Sequence, residues 1–319
     1  MDFHIFTNFF KFFDRLETKI TFMFFVCEVL AFLYLFSLLF FAIFQPNLFQ
    51  NLVPLETNGD ILIAFFLFFY IILVAFLNLL FFKFFRSVLV LKIFEFFSIF
   101  LPLSLFLLPS VYILTSDIYF SFFLSFFIGF VITIFRYIFP NLKNILVVIS
   151  TATIGVLLGL SLGFLPLLIF CILLSIYDYV AVFKTKHMLQ LAEMVGSYDL
   201  AFSVSFSLPS TSKKSQKTTK PDMLFHPFSK SKPLAKKQFS VSVGSGDFFV
   251  PAALLAPVYL EFGKLPLIFL VLFSTFTLYF LLHFTIKHKV ALPALPPICL
   301  GCFLGIAFGI IIQNIFVSG

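Results

Sequence analysis

Residues 164–183 read FLPLLIFCILLSIYDYVAVF, twenty residues with a single charged group, Asp178. At about 1.5 Å per residue this helix is long enough to cross a hydrocarbon core of about 30 Å. Lipid offers no partner for backbone polar groups, so a helix that satisfies its own is expected. An acid inside such a span is costly, which makes it a candidate functional group.

The rest of the chain reads the same way. It has 319 residues, of which 61% are apolar and 11% charged, with 56 Phe and no Trp. Soluble domains carry roughly 25% charged residues. This composition excludes a soluble globular protein, a disordered chain and an ordinary nucleic-acid binder. Nine apolar stretches can be marked: 20–44, 61–82, 87–108, 117–135, 145–162, 164–183, 243–260, 265–282 and 293–317. The alternating pattern of a membrane barrel is absent. The expected fold is therefore an all-α, multi-pass membrane protein with nine transmembrane helices.

Charge placement orients them. With a cytoplasmic N-terminus and an outer C-terminus, 19 of the 21 basic residues fall on the inner side. They include Arg15, Lys83, Arg86, Arg136, Lys143 and the lysines between Lys213 and Lys237. The outer loops hold Glu56, Asp60, Asp117 and Glu261. This is the positive-inside pattern, and it makes the net charge of +7 a record of topology facing anionic lipid. The first stretch is too long for a cleaved leader and reads as an uncleaved span.

Three parts follow: 1–183 with six spans, a polar cytoplasmic loop at 184–240, and 241–319 with three spans. The centre of the loop, 209–237, has the composition of a flexible linker. Its flanks alternate, with AFSVSFSL at 201–208 and FSVSV at 239–243, which favours short strands beside the loop. Cys27, Cys171, Cys299 and Cys302 all lie in spans and read as small packing residues, not a disulfide framework or a metal pair. No metal or cofactor is expected.

The acids and bases within spans are Glu28, Lys92, Glu95, Asp178 and Asp247. Lys92 and Glu95 are spaced to pair on one helix. Glu28 is open to protonation, to snorkelling, or to a bond with a neighbouring helix. Asp178 sits about 21 Å along an outside-to-inside helix. Asp247 sits near the start of the next, inside-to-outside helix. The two carboxyls therefore share a depth near the cytoplasmic face. Two carboxyls close together in a medium of low dielectric cannot both ionise, and they share a proton. The ionised member can take a proton from water while the neutral member donates to a carbonyl oxygen. Gly244-Ser245-Gly246-Asp247 provides backbone that a substrate can approach. Pro293-Ala294-Leu295-Pro296-Pro297 predicts irregular backbone at the same depth, tolerated where it lines a wet cavity.

Tyr177-Asp178, Gly244-Ser245-Gly246-Asp247 and Pro293-Ala294-Leu295 resemble the three signatures of the presenilin and signal peptide peptidase family, the intramembrane aspartyl proteases of GxGD type. The stretches 177–182 and 185–188 are most similar to archaeal presenilin homologues. The resemblance implies hydrolysis of transmembrane-helix protein substrates within the cell membrane, with Asp178 and Asp247 as the catalytic pair. Tyr177, Gly244, Ser245, Gly246, Pro293, Ala294 and Leu295 are implied to bind and position substrate, which family members add as a strand near the seventh span. Presenilins usually carry Leu where this chain has Ser245, so substrate choice is expected to differ. The short loop implies a chain that acts without an obligatory subunit and leaves room for an oligomer. Neither nucleic acid nor a metal is implied.

Three alternatives compete. A prepilin-type peptidase also uses a GxGD aspartate but lacks the other two signatures. A rhomboid or zinc protease needs a His within a span or a His-Glu-x-x-His motif, and neither occurs here. A transporter or ion-leak protein would use intramembrane acids as ion sites, although no internal repeat is evident.

Overall fold

The computed structural model describes residues 16–46, 62–70, 73, 88–139, 142–185, 203–207, 240–288 and 292–318. The N-terminal 15 residues, most of the second apolar stretch and most of the polar loop lie outside the described residues. The elements are α1 (Leu16–Phe44), a helical stretch at 62–70, α2 (Val88–Thr115), α3 (Ile118–Ile138), α4 (Leu142–Leu162) and α5 (Phe164–Val180). A π turn (Ala181–Thr185), β1 (Ser203–Ser207), β2 (Ser240–Gly244), α6 (Ser245–Phe262), α7 (Lys264–His288) and α8 (Leu295–Ser318) complete them.

Among the described residues, seven helices are long and apolar enough to cross a membrane: α1 to α5, α7 and α8. The helix α6 stands apart for a physical reason. It touches α1, α4, α5, α7 and α8, so protein surrounds most of it. Its residues from Val250 to Val258 are all buried, and many are Ala or Pro. A helix wrapped by helices needs small residues for close approach more than it needs apolar bulk. Phenylalanines supply much of the exposed apolar area, among them Phe66, Phe123, Phe127 and Phe276, all more than half exposed.

Glycine rows make the close approaches. Gly155 and Gly159 of α4 lie against Ala252 and Ala253 of α6, and a Cβ on Gly155 would come within 2.8 Å of the Ala252 methyl. Pro257 cannot donate to the carbonyl of Ala253, one turn back, and Gly159 leaves room for that freed oxygen. Gly301, Gly305 and Gly309 do the same for α8 against α7. These two small-xxx-small rows were readable in the sequence by spacing alone.

Proline also shapes α2, which contains Pro102 and Pro109. Pro109 leaves the Leu105 carbonyl without its helical donor, and Tyr34 of α1 supplies one through its hydroxyl at 3.2 Å. The expected Lys92–Glu95 pair does not form. Glu95 is buried and pairs with Arg136 of α3, while Lys92 is exposed. The buried face of α3, Ser121, Ser125, Gly129, Thr133 and Arg136, packs onto α2 and delivers the guanidinium to the carboxylate. A planar group with several donors suits a buried acid better than an ammonium that can reach solvent along its stem.

The strands pair antiparallel, with Val204 opposite Val243 and Ser203 opposite Gly244. Val204 and Val243 are buried, and β1 packs on α1 and α4. The seventh apolar stretch thus starts later as a helix than its hydropathy suggests, because Val243 and Gly244 belong to β2 and the helix begins at Ser245.

Candidate active site

Asp178 lies in the last turn of α5, just before the backbone widens into the π turn, and is 5% exposed. Its Oδ2 accepts a hydrogen bond from the backbone N–H of Leu295 at 3.2 Å. The N–H of Ala294 also points at this carboxyl. The sequence of α8 explains why. The first N–H groups of a helix have no partner inside it. Pro296 and Pro297 have no N–H at all, and the amide of Ile298 already bonds to Ala294 O. Leu295 is therefore the one first-turn amide of α8 left to donate outward, and Asp178 receives it.

This corrects one expectation. The sequence predicts irregular backbone over 293–297, but among the described residues the helix starts at Leu295, and Pro296 and Pro297 sit in its first turn. Proline is at home there, since its ring presets the helical φ and no N–H is missed.

Asp247 lies in the first turn of α6, three residues after the N-cap Gly244. Its carboxyl lies within electrostatic reach of the Gly244 N–H. Each acid thus sits at the positive end of a helix: Asp247 at that of α6, and Asp178 at that of α8. Asp178 and Asp247 lie within electrostatic reach of each other. Two helix N-termini converging on two carboxyls make a site that can hold negative charge inside a membrane protein.

The glycines of the 244–247 motif do not owe their identity to backbone strain. Gly244 has φ −65° and is extended, and Gly246 is helical. A Cβ on Gly246 would meet nothing within 4 Å, and one on Gly244 would come no nearer than 3.8 Å to Asp247 Oδ2. Both are exposed, so what they leave is open space beside an acid. Ser245 and Tyr177 are half-buried, as is Ala294, whereas Pro293 and Leu295 are buried. The fold brings Asp178, Leu295 and Ala294 into one cluster with Asp247 and Gly244 beside it.

The sequence reading missed Cys299 as a neighbour of this cluster. It lies one turn beyond Leu295 and within electrostatic reach of both carboxyls. Its spacing from the Pro-Ala-Leu run was the available signal. Among the described residues, no group of three or more His, Cys, Asp or Glu is arranged to hold a metal ion.

Two solved structures share this architecture. A presenilin family intramembrane aspartate protease in a C222 crystal form aligns with TM-score 0.63 and 16% identity, over 93% of this chain and 99% of that one. A presenilin family protease structure in a P2 form aligns with TM-score 0.53 and 22% identity, over 88% and 96%. No curated protein sequence matches the chain. The class defined by this fold is a helical, multi-pass membrane protein with the presenilin-protease architecture. The chain belongs to the family described as signal-peptide peptidase, presenilin aspartyl protease, whose model matches residues 21–315. It is accordingly an integral membrane hydrolase of the aspartic type.

Proposed function

We propose that the chain hydrolyses peptide bonds within transmembrane segments of membrane-protein substrates, with Asp178 and Asp247 as a water-activating pair that shares one proton. The observation that carries this reading is the placement of each acid at a helix N-terminus, Asp178 hydrogen-bonded to the Leu295 amide of α8 and Asp247 in the first turn of α6. Donors of this kind favour one ionised carboxyl, and the mutual repulsion of the two acids disfavours a second. The ionised member takes a proton as water attacks the scissile carbonyl carbon. The neutral member gives its proton to the carbonyl oxygen, forming a tetrahedral diol. When the diol collapses, the C–N bond breaks, the leaving amine takes the proton of the neutral carboxyl, and one diol hydroxyl gives its proton to the ionised carboxyl, which restores the one-proton pair. No covalent intermediate is needed.

Substrate enters this scheme as an added strand along β2. That strand leads directly into Gly244 and Gly246, and β1 already lies against the bundle. The open space over both glycines receives the substrate backbone, and Ser245 faces its side chains. Tyr177, Pro293, Ala294 and Leu295 frame the opposite side. The nine-span arrangement with a cytoplasmic N-terminus puts this site toward the cytoplasmic side, and the chain acts without an obligatory subunit.

The test is cleavage of a model transmembrane substrate by purified protein, with Asp178→Ala and Asp247→Ala as separate variants. Each variant should lose cutting. Variants that keep full proteolysis but lose ion flux would instead identify a transporter.

A further inference from the structure

We infer that Cys299 is a positioning residue of the acid pair, holding α8 against α5 one turn behind the bond that fixes Asp178. This rests on the proteolytic reading of the site. Cys171, Ser175 and Asp178 follow one another along one stripe of α5, at successive turns. Leu295, Cys299 and Cys302 do the same along α8. The two stripes meet at two levels. At the upper level the Leu295 amide donates to Asp178 Oδ2 at 3.2 Å. At the lower level the Cys299 thiol donates to the Cys171 carbonyl at 3.7 Å, and the Ser175 hydroxyl faces the same sulfur.

The lower level matters because the upper one cannot set its own register. Leu295 is the first residue of α8 and follows three non-helical residues. The glycine row seats α8 on α7, but against α5 the register of this helix end needs a second fixed point beside the amide bond. Cys299 is 3% exposed, and α5 and α8 make direct contact along this seam. A shift of about 1 Å at a reacting group can cost on the order of a hundredfold in rate, so a small slip of α8 is enough to matter.

A second thiol gives an internal control. Cys27 of α1 donates to the Val148 carbonyl of α4 at 3.6 Å, the same kind of helix-to-helix bond. A general packing role for thiols predicts equal effects at the two sites. A positioning role predicts an effect on turnover at Cys299 alone.

The experiment compares Cys299→Val, Cys299→Ser and Cys27→Val in the full-length chain, each reconstituted in liposomes. Cleavage of a transmembrane substrate gives kcat and KM separately. The Leu295 amide is followed by solid-state NMR in protein labelled with 15N at leucine and 13C at the alanine carbonyl, and is assigned among the three Ala–Leu pairs, 253–254, 291–292 and 294–295, by the signal lost in Ala294→Ser. Cys299→Val should lower kcat about tenfold or more with KM within about twofold, and should move the Leu295 amide signal. Cys299→Ser, which keeps a donor, should restore most of both. Cys27→Val should change neither. If Cys299→Val does not assemble, Cys299→Ala gives the same comparison with a smaller side chain. An unmoved Leu295 amide together with unchanged kcat overturns the inference, as does an equal loss at Cys27. If the wild type cuts no substrate, the proteolytic reading fails, while the amide signal still decides whether Cys299 positions Asp178.

Discussion

The Leu295 amide donates to Asp178 Oδ2 at 3.2 Å, joining residues 117 positions apart in the chain. The two prolines that follow Leu295 have no N–H to compete with it in the first turn of α8. A motif that reads as a helix breaker thus presents an aimed N–H. It ties the end of one helix to an acid on another, whereas Asp247 sits in the first turn of its own helix, α6.

Removing either acid should abolish hydrolysis. General acid–base groups contribute about 10²–10⁴-fold, and the pair acts as a unit, so the double variant should be no worse than either single one. Asp178→Asn and Asp247→Asn preserve shape and test charge alone. Both should assemble normally and show cleavage near background when product is quantified by mass spectrometry. Near-wild-type cutting by either variant would remove that residue from the mechanism.

The pH profile should be bell-shaped. At low pH both carboxyls are protonated, and no base remains to activate water. At high pH both are ionised, no acid remains to protonate the carbonyl oxygen, and the two repel. Activity therefore falls on both sides, and the limits belong to the pair and not to either residue. Initial rates across about pH 4 to 10 test this, and a flat profile contradicts a shared proton.

Much of this was legible before any coordinates, and what was not has definite causes. Composition and charge bias gave the class because lipid narrows the choices: long apolar runs, helices, acids only where needed. The acids stood out because so few charged groups interrupt those runs. Register was not legible. Nothing in the sequence told that Glu95 would find Arg136 on another helix before Lys92 on its own, since partner choice depends on which helices pack. Nor did hydropathy separate the strand ending at Gly244 from the helix starting at Ser245, because Val243 is apolar in either. The role of Pro296 and Pro297 as first-turn residues depended on knowing where α8 begins.

The glycine rows should tolerate no bulk. A Cβ on Gly305 would lie 2.5 Å from the Phe269 carbonyl oxygen, a backbone atom that cannot swing away. Gly305→Leu should therefore separate α8 from α7 and destabilise the protein by about 1–3 kcal/mol or more. Gly263→Leu cannot serve as a control, since its φ of +88° is itself unfavourable for a side chain. Gly246→Ala can serve for assembly, since a Cβ there meets nothing within 4 Å. Thermal unfolding in detergent should show a lowered midpoint for Gly305→Leu and an unchanged one for Gly246→Ala. If open space over Gly246 receives substrate, that second variant should raise KM without loss of stability.

Tyr34→Phe isolates the Pro109 break. It removes the hydroxyl that donates to the Leu105 carbonyl and leaves the ring, which stacks on Phe106 with centroids 5.3 Å apart. The carbonyl then lacks a donor from its own helix and from α1. The expected cost is about 1–3 kcal/mol, the penalty for a buried polar atom left unpaired. Unfolding in detergent measures it. An unchanged midpoint would mean that another group satisfies Leu105.

Glu28 separates a structural acid from a catalytic one. It is 1% exposed on α1 and receives hydrogen bonds from two residues of α7, Ser274 and Thr275, the latter at 2.9 Å. Ser274 also donates to its own helix at Val271 O, 3.0 Å away. Held by both hydroxyls, Glu28 clamps α1 to α7. Glu28→Gln keeps a donor and an acceptor in the same shape and should preserve both stability and cleavage. Glu28→Ala should lose about 1–3 kcal/mol through its missing bonds, with cleavage per folded molecule retained. A Glu28→Gln protein that is stable yet inactive would show instead that Glu28 titrates as part of the reaction.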